Sequence, residues 1–174
     1  MADREVVPGT VLAGRYRLVE RLGEGGMGVV WAARDERDGA PCALKWIKDD
    51  PADPGARRRF AIEGRAAAAV RHANVVEVRA VLELDDGAPV LVMERLTGEP
   101  LRERLARTPR LAPALAVDLA AQVASAAGAA LALGVVHRDL KPDNIFLVGD
   151  ADPPTVKVLD FGIAKLTGDA TVKT

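Results

Sequence analysis

Cysteine is almost missing from this chain. Cys42 is the single one in 174 residues, so no intrachain disulfide can form and the sequence suits a reducing compartment. Lying in the apolar run 40–47, it reads as a small buried hydrophobe and not as a redox group. Histidine is nearly as scarce. His72 and His137 stand far apart without a matching cysteine set, which argues against a zinc site. An excess of either charge is also lacking: 24 basic residues face 25 acidic ones, for a net charge of -1. That balance gives no electrostatic case for binding nucleic acid or an anionic membrane. No stretch of about twenty apolar residues is free of polar interruption. The most apolar candidate, 112–136, contains Asp118 and Gln122 and is rich in alanine. Residues 1–8 lack the apolar core of a secretion signal. Together these absences lead us to expect a soluble, cytoplasmic segment without membrane contact of its own, whatever tethers a longer parent protein.

What is present is enough apolar material for a core. Hydrophobic residues make up 49% of the composition, and the length allows one medium domain or part of a larger one. The first half reads as strands broken by turns: 16–22, then a flexible 23–28, then 29–34, the Asp38-Gly39 hairpin signal and the strand 41–48. Helix formers take over in 57–71, with Phe60, Ala67 and Val70 on a modest apolar side. Strands are expected again at 75–84 and 88–94, joined by Asp85-Asp86-Gly87. The second half is helical, with a short helix at 101–106 and a long one at 112–133. In the latter Leu115, Leu119, Val123, Ala126, Ala130 and Leu131 recur at helical spacing. Two short strands, 145–148 and 155–159, close the pattern. The expected class is α+β, an antiparallel sheet with one helix followed by a mainly helical part.

Three segments carry chemistry. Gly23-Glu24-Gly25-Gly26-Met27-Gly28-Val29-Val30 spells GxGxxGxV, and glycines let backbone amides approach a polyphosphate. By itself the motif fits a plain flexible hairpin, a dinucleotide fingerprint or a phosphate cover. A dinucleotide fingerprint needs a helix next, whereas Val29-Val30-Trp31 favours a strand. Lys45, on the following strand beside Ala43, is long enough to reach phosphates, and Glu63 in the next helix is a candidate anion to hold it. Surface positions unrelated to each other are the plainer reading of that pair.

The segment His137-Arg138-Asp139-Leu140-Lys141-Pro142-Asp143-Asn144 is more specific. Asp139 can accept a hydroxyl proton and orient the oxygen for in-line attack, Lys141 can offset charge on a transferring phosphate, and Asn144 can give an oxygen to Mg²⁺. Asp160-Phe161-Gly162 follows, with Asp160 as a second metal ligand, Phe161 as a core residue and Gly162 as a point where the backbone turns. Both histidines are assigned to packing and hydrogen bonding, His72 closing the turn before Val75.

In this order, the motifs resemble the Hanks-type serine/threonine protein kinases, in flavour their bacterial branch, from about Arg15 to Lys165. The resemblance implies a kinase-like fold with an N-terminal extension at 1–14, an N-lobe at 15–95 and part of a C-lobe at 96–174. It implies ATP with Mg²⁺, or Mn²⁺ in its place, and protein substrates. Leu22, Gly23, Gly25, Gly28, Val30, Ala43, Lys45, Met93, Glu94, Leu96 and Phe146 then become nucleotide-binding residues. Glu94 to Leu96 would be the linker whose backbone binds adenine, with Met93 behind it. Asp139, Lys141, Lys45 and Glu63 become catalytic, and Asn144 and Asp160 hold metal. Lys141 favours serine/threonine over tyrosine acceptors. Arg138 implies control by a phosphorylated residue farther on, for which Thr171 or Thr174 is preferred to Thr167. Thr174 is reached before any match to the family's substrate-binding loop or its APE-like motif, so a C-lobe lacking those parts is expected, with apolar faces of 112–133 short of partners. A regulatory ATP-binding fragment and a small-molecule phosphotransferase remain the alternatives to a protein kinase.

Overall fold

The computed structural model describes residues 6–25, 28–47, 55–149 and 153–161. Gly26, Met27, Gly162, Thr167, Thr171 and Thr174 lie outside the described residues. Strands β1 (Val11–Leu12), β2 (Tyr16–Gly25), β3 (Gly28–Asp35), β4 (Pro41–Trp46), β5 (Val78–Glu83) and β6 (Pro89–Glu94) form a six-stranded sheet in the order β1-β2-β3-β4-β6-β5. Every pairing within it is antiparallel. The hairpin of β2 and β3 is longer than expected, since its ladder extends to Gly25 opposite Gly28. Gly28 is demanded by the fold. At its φ of +138° a Cβ would lie 2.1 Å from the carbonyl oxygen of Trp46, so only glycine lets β3 leave the hairpin this close to the end of β4.

Strand alternation sorts the sheet into two faces. Cys42, Leu44, Val90 and Val92 pack with Leu12, Tyr16, Leu18, Trp31 and Ala33 on one face. Ala43, Leu91 and Met93 belong to the other, which helix α1 (Ala56–Ala69) covers through buried Phe60, Gly64 and Ala67. The contact at Gly64 is close: a Cβ there would meet Leu91 Cδ2 at 2.3 Å. Lys45 shares this inner side by strand parity and is buried at 5% exposure. A cation forced into that position requires an anion.

The chain then crosses to a second sheet, of β7 (Gly98–Pro100), β8 (Ile145–Val148) and β9 (Thr155–Val158), accompanied by α2 (Leu101–Arg107), α3 (Pro113–Leu131) and a 3₁₀ turn at Pro142–Asn144. At two and three residues, β1 and β7 are too short to show an alternating pattern and were not expected. The strand expected from Val75 instead begins at Val78, because the preceding residues bond elsewhere. Val76 N–H donates to the Val158 carbonyl at 3.0 Å, and Val158 N–H donates to that of Asn74 at 2.8 Å. Leu119, Ala126 and Ala130 of α3 join the core, and Gln122 accepts from Val156 N–H at 2.8 Å and from Asn74 Nδ2 at 2.9 Å. Leu131, assigned by its spacing to the apolar side, is 63% exposed, and Val117 is 69% exposed. By length and composition alone α3 is also long and apolar enough to cross a membrane.

Candidate active site

The register of the six-stranded sheet lines up part of the site. Gly23 pairs with Val30, Val30 with Lys45, and Ala43 with Met93. Leu22 is exposed on β2, and Val30 is partly buried against the core. Gly23 differs from Gly28, for a Cβ on it would meet nothing within 4 Å. Met93 is 8% exposed, and the backbone N–H of Glu94 is taken by the Glu77 carbonyl at 3.0 Å. Leu96 is partly buried against the core, and Phe146 pairs with Pro100 and Lys157 in the second sheet.

Lys45 Nζ donates to Asp160 Oδ1 at 2.6 Å, with side-chain exposures of 7% and 21%. The expected partner, Glu63, is not the one engaged. The carboxyl of Glu63 is pushed above its ordinary value by burial, while the charges of Arg138 and Arg59 act in the opposite direction. The physical reason for the exchange is position. Asp160 lies two residues beyond the end of β9, which backbone bonds hold against residues 74–76, and so its carboxylate reaches the buried ammonium.

The segment 137–144 is held by short-range bonds. Its histidine is 7% exposed; Nε2 contacts the Leu159 carbonyl at 2.7 Å, and Nδ1 accepts from Asp139 N–H at 3.3 Å. A carbonyl can only accept, so a proton sits on Nε2 and His137 braces the segment against Leu159. Its ring also meets Phe161 edge-on at 4.9 Å. Lys141 Nζ donates to Asp139 Oδ2 at 2.8 Å, and Asn144 Nδ2 donates to the Asp139 carbonyl at 2.8 Å. The Lys141 hydrogen bond foremost holds the Asp139 carboxyl below the ordinary aspartate value, and Asp139 in return raises the Lys141 ammonium. Arg138 and Asp160 have positive φ, 62° and 57°, an unusual conformation for residues with side chains.

Two oxygens face no donor among the described residues: Oδ2 of Asp160, which meets Lys45 through Oδ1, and Oδ1 of Asn144, which bonds through Nδ2. The Leu159 N–H donates to the Asn144 carbonyl at 2.8 Å, tying these two residues to adjoining backbone. A hard divalent cation suits such a pair of oxygens.

Sequence reading missed one further pair. Lys157 on β9 bonds Glu94 at 2.6 Å. A lysine between Val156 and Val158 was a signal available in the sequence, since alternation puts it on the side opposite those two buried valines.

An antiparallel sheet with one helix, joined to a partial helical lobe, is the bilobal architecture of protein kinases. The protein kinase domain family matches residues 16–174, and the chain belongs to that family. It is 40% identical over 169 residues to serine/threonine-protein kinase PknA of Mycobacterium tuberculosis, covering 94% of this chain and 38% of PknA. To Pkn1 of Myxococcus xanthus it is 44% identical over 158 residues, covering 90% of this chain and 22% of that protein. The M. tuberculosis PknI kinase domain is similar in structure, with a TM-score of 0.78 at 31% identity, covering 91% of this chain and 62% of PknI's. Rad53 1-466, solved with AMP-PNP, gives 0.73 at 27% identity over 86% of this chain and 38% of its own. The chain thus spans well under half the length of PknA and of Pkn1.

Proposed function

We propose that the chain binds Mg-ATP between its 15–95 and 96–174 parts and supports transfer of the γ-phosphoryl group to serine or threonine hydroxyls of protein substrates. The observation that carries this reading is the contact of Lys45 with Asp160, which unites the strand after the glycine hairpin with the backbone that also holds Asn144. In the proposed mechanism the glycine hairpin covers the phosphates, and the open space at Gly23, which packing does not require, leaves them room. Lys45 binds the α- and β-phosphates, with Glu63 as the partner it would take once Asp160 turns to the cation. Asn144 and Asp160 would hold Mg²⁺, which when bound neutralises charge across the phosphates. Asp139, kept ionised by Lys141, accepts the hydroxyl proton and aims the oxygen, while Lys141 offsets charge on the moving phosphoryl group. No covalent enzyme intermediate is involved. The AMP-PNP bound in the similar Rad53 chain supports the nucleotide assignment, and the lone buried Cys42 fits a cytoplasmic setting.

The test is intact mass of residues 1–174 and of a generic serine/threonine protein acceptor after incubation with Mg-ATP, beside Asp139→Asn. Phosphate should appear only with the wild-type chain, and transfer in the variant should fall by about 10²–10⁴-fold while nucleotide affinity holds. Equal transfer by both chains removes Asp139 from its role. Nucleotide binding with no transfer by either points to the regulatory reading, and phosphorylation of a metabolite with no protein accepted points to the small-molecule one.

A further inference from the structure

Among the described residues, two ion pairs tie β9 and the residues just after it to the first sheet. In one, Asp160 bonds Lys45 of β4; in the other, Lys157 bonds Glu94 of β6, the strand adjacent to β4. The Lys157–Glu94 side chains are 16% and 20% exposed, whereas surface pairs such as Arg17–Glu36 are 50% and 40% exposed. Burial on that scale makes a charge-assisted bond matter, because neither partner can fall back on full hydration. Glu94 Oε1 also accepts from Glu77 N–H at 2.8 Å, and Lys157 Nζ reaches the Val75 carbonyl at 3.3 Å. Lys157, Glu94 and the crossing segment 75–77 therefore form one knot.

Backbone rungs at Asn74, Val76 and Val158 join β9 to the crossing segment, and alone they would act as a pivot. A second attachment on the flank of that pivot fixes its angle. What lies at the far end of β9 is the site: Leu159 accepts from His137 and donates to Asn144, and Asp160 comes next. On the other side of the ion pair, Glu94 directly follows Met93 and opens the linker.

We infer that Lys157 is a positioning residue for nucleotide, fixing the angle of β9 against Glu94 so that the linker and the Asn144–Asp160 oxygens face one bound molecule at the correct separation. This rests on the ATP-binding reading above. It gives Lys157 no contact with substrate; its effect passes through Glu94 at one end and Leu159 at the other.

The experiment compares the wild-type chain with Lys157→Met, which keeps an unbranched apolar stem, Lys157→Arg, Glu94→Gln and the Lys157→Met/Glu94→Gln double variant. Amide hydrogen exchange without nucleotide is measured together with Mg-ATP affinity by calorimetry. Lys157→Met should weaken Mg-ATP by about five- to tenfold, and the double variant should weaken it no further than the worse single change. Lys157→Arg should restore most of the affinity. Exchange in Lys157→Met should quicken at Val76 and Val158 and also at Leu159 and Asp139, beyond the knot itself. Quickening confined to residues 75–77, or additive losses in the double variant, would overturn the inference. Should the wild-type chain bind no Mg-ATP, the functional reading fails, and the exchange pattern alone still decides whether Lys157 controls the far end of β9.

Discussion

Lys45 is aimed by a sheet, Asp139 by its own short segment. Lys45 occupies its place because β3, β4 and β6 pair in a register that puts it opposite Val30 and Leu91, and its partner lies 115 residues away. Asp139 is held by His137, Lys141 and Asn144, none more than five residues distant. The difference teaches where damage should appear. A change on the sheet disturbs packing that many strands share, so it should register in stability as well as chemistry. A change in the local segment should register in chemistry alone.

The sharpest way to break this contrast uses two aspartates, both assigned essential roles. Asp160→Asn leaves the Lys45 ammonium, itself 5% exposed, without its anion. Removing one member of a buried pair strands the other charge, and we expect a loss of about 3 kcal/mol in urea unfolding. Asp139→Asn removes a carboxylate whose partner Lys141 is exposed and can return to water, so its unfolding midpoint should barely move. Transfer should collapse in both. Equal destabilisation by the two variants would show that the 137–144 segment is as deeply tied to the core as the sheet.

Within the hairpin the same contrast can be drawn between two glycines. Gly28→Ala places a methyl group 2.1 Å from a backbone oxygen, and a backbone atom cannot step aside as a side-chain tip does. The expected cost is about 2 kcal/mol or more, seen as a lower unfolding midpoint. Gly23→Ala meets open space, so stability should stay within about 0.5 kcal/mol of the wild type while Mg-ATP affinity drops. A Gly23 variant that keeps full affinity would leave that glycine without a reason on either count.

This contrast also explains what was legible beforehand. The order of strands and helices followed from alternation and helical spacing, and β8 was placed at its observed bounds, Ile145–Val148. The roles offered for residues 137–144 came from a contiguous string whose members bond to one another. Sheet-borne partners were not legible in that way. Helix α1 lies beside β4 in the sequence and made Glu63 the natural partner for Lys45, yet the partner found depends on how β9 docks against residues 74–76. Alternation marks Val156 and Val158 as a buried side, but which segment they dock against is set by rungs between distant residues, and that pairing has no period in the sequence.

Glu63 sits on the boundary between the two regions, borne by a helix of the first sheet and facing the charge of Arg138 in the local segment. Burial raises its folded-state pKa, so the folded chain holds the proton more tightly than the unfolded chain does. Its contribution to stability is then fullest below the ordinary glutamate value of about 4.3 and is lost as the pH rises through the folded-state value. Glutamine in its place is neutral throughout. Glu63→Gln should therefore match the wild type near pH 4 and melt higher at pH 7, by about 1–2 °C. The same variant should transfer phosphate more slowly if Glu63 takes Lys45 during the reaction, so that stability and activity move in opposite directions. A lower melting point at pH 7 would mean instead that Arg138 and Arg59 compensate the buried carboxylate fully, and that Glu63 belongs with the stabilising ion pairs and not with groups held at a cost for function.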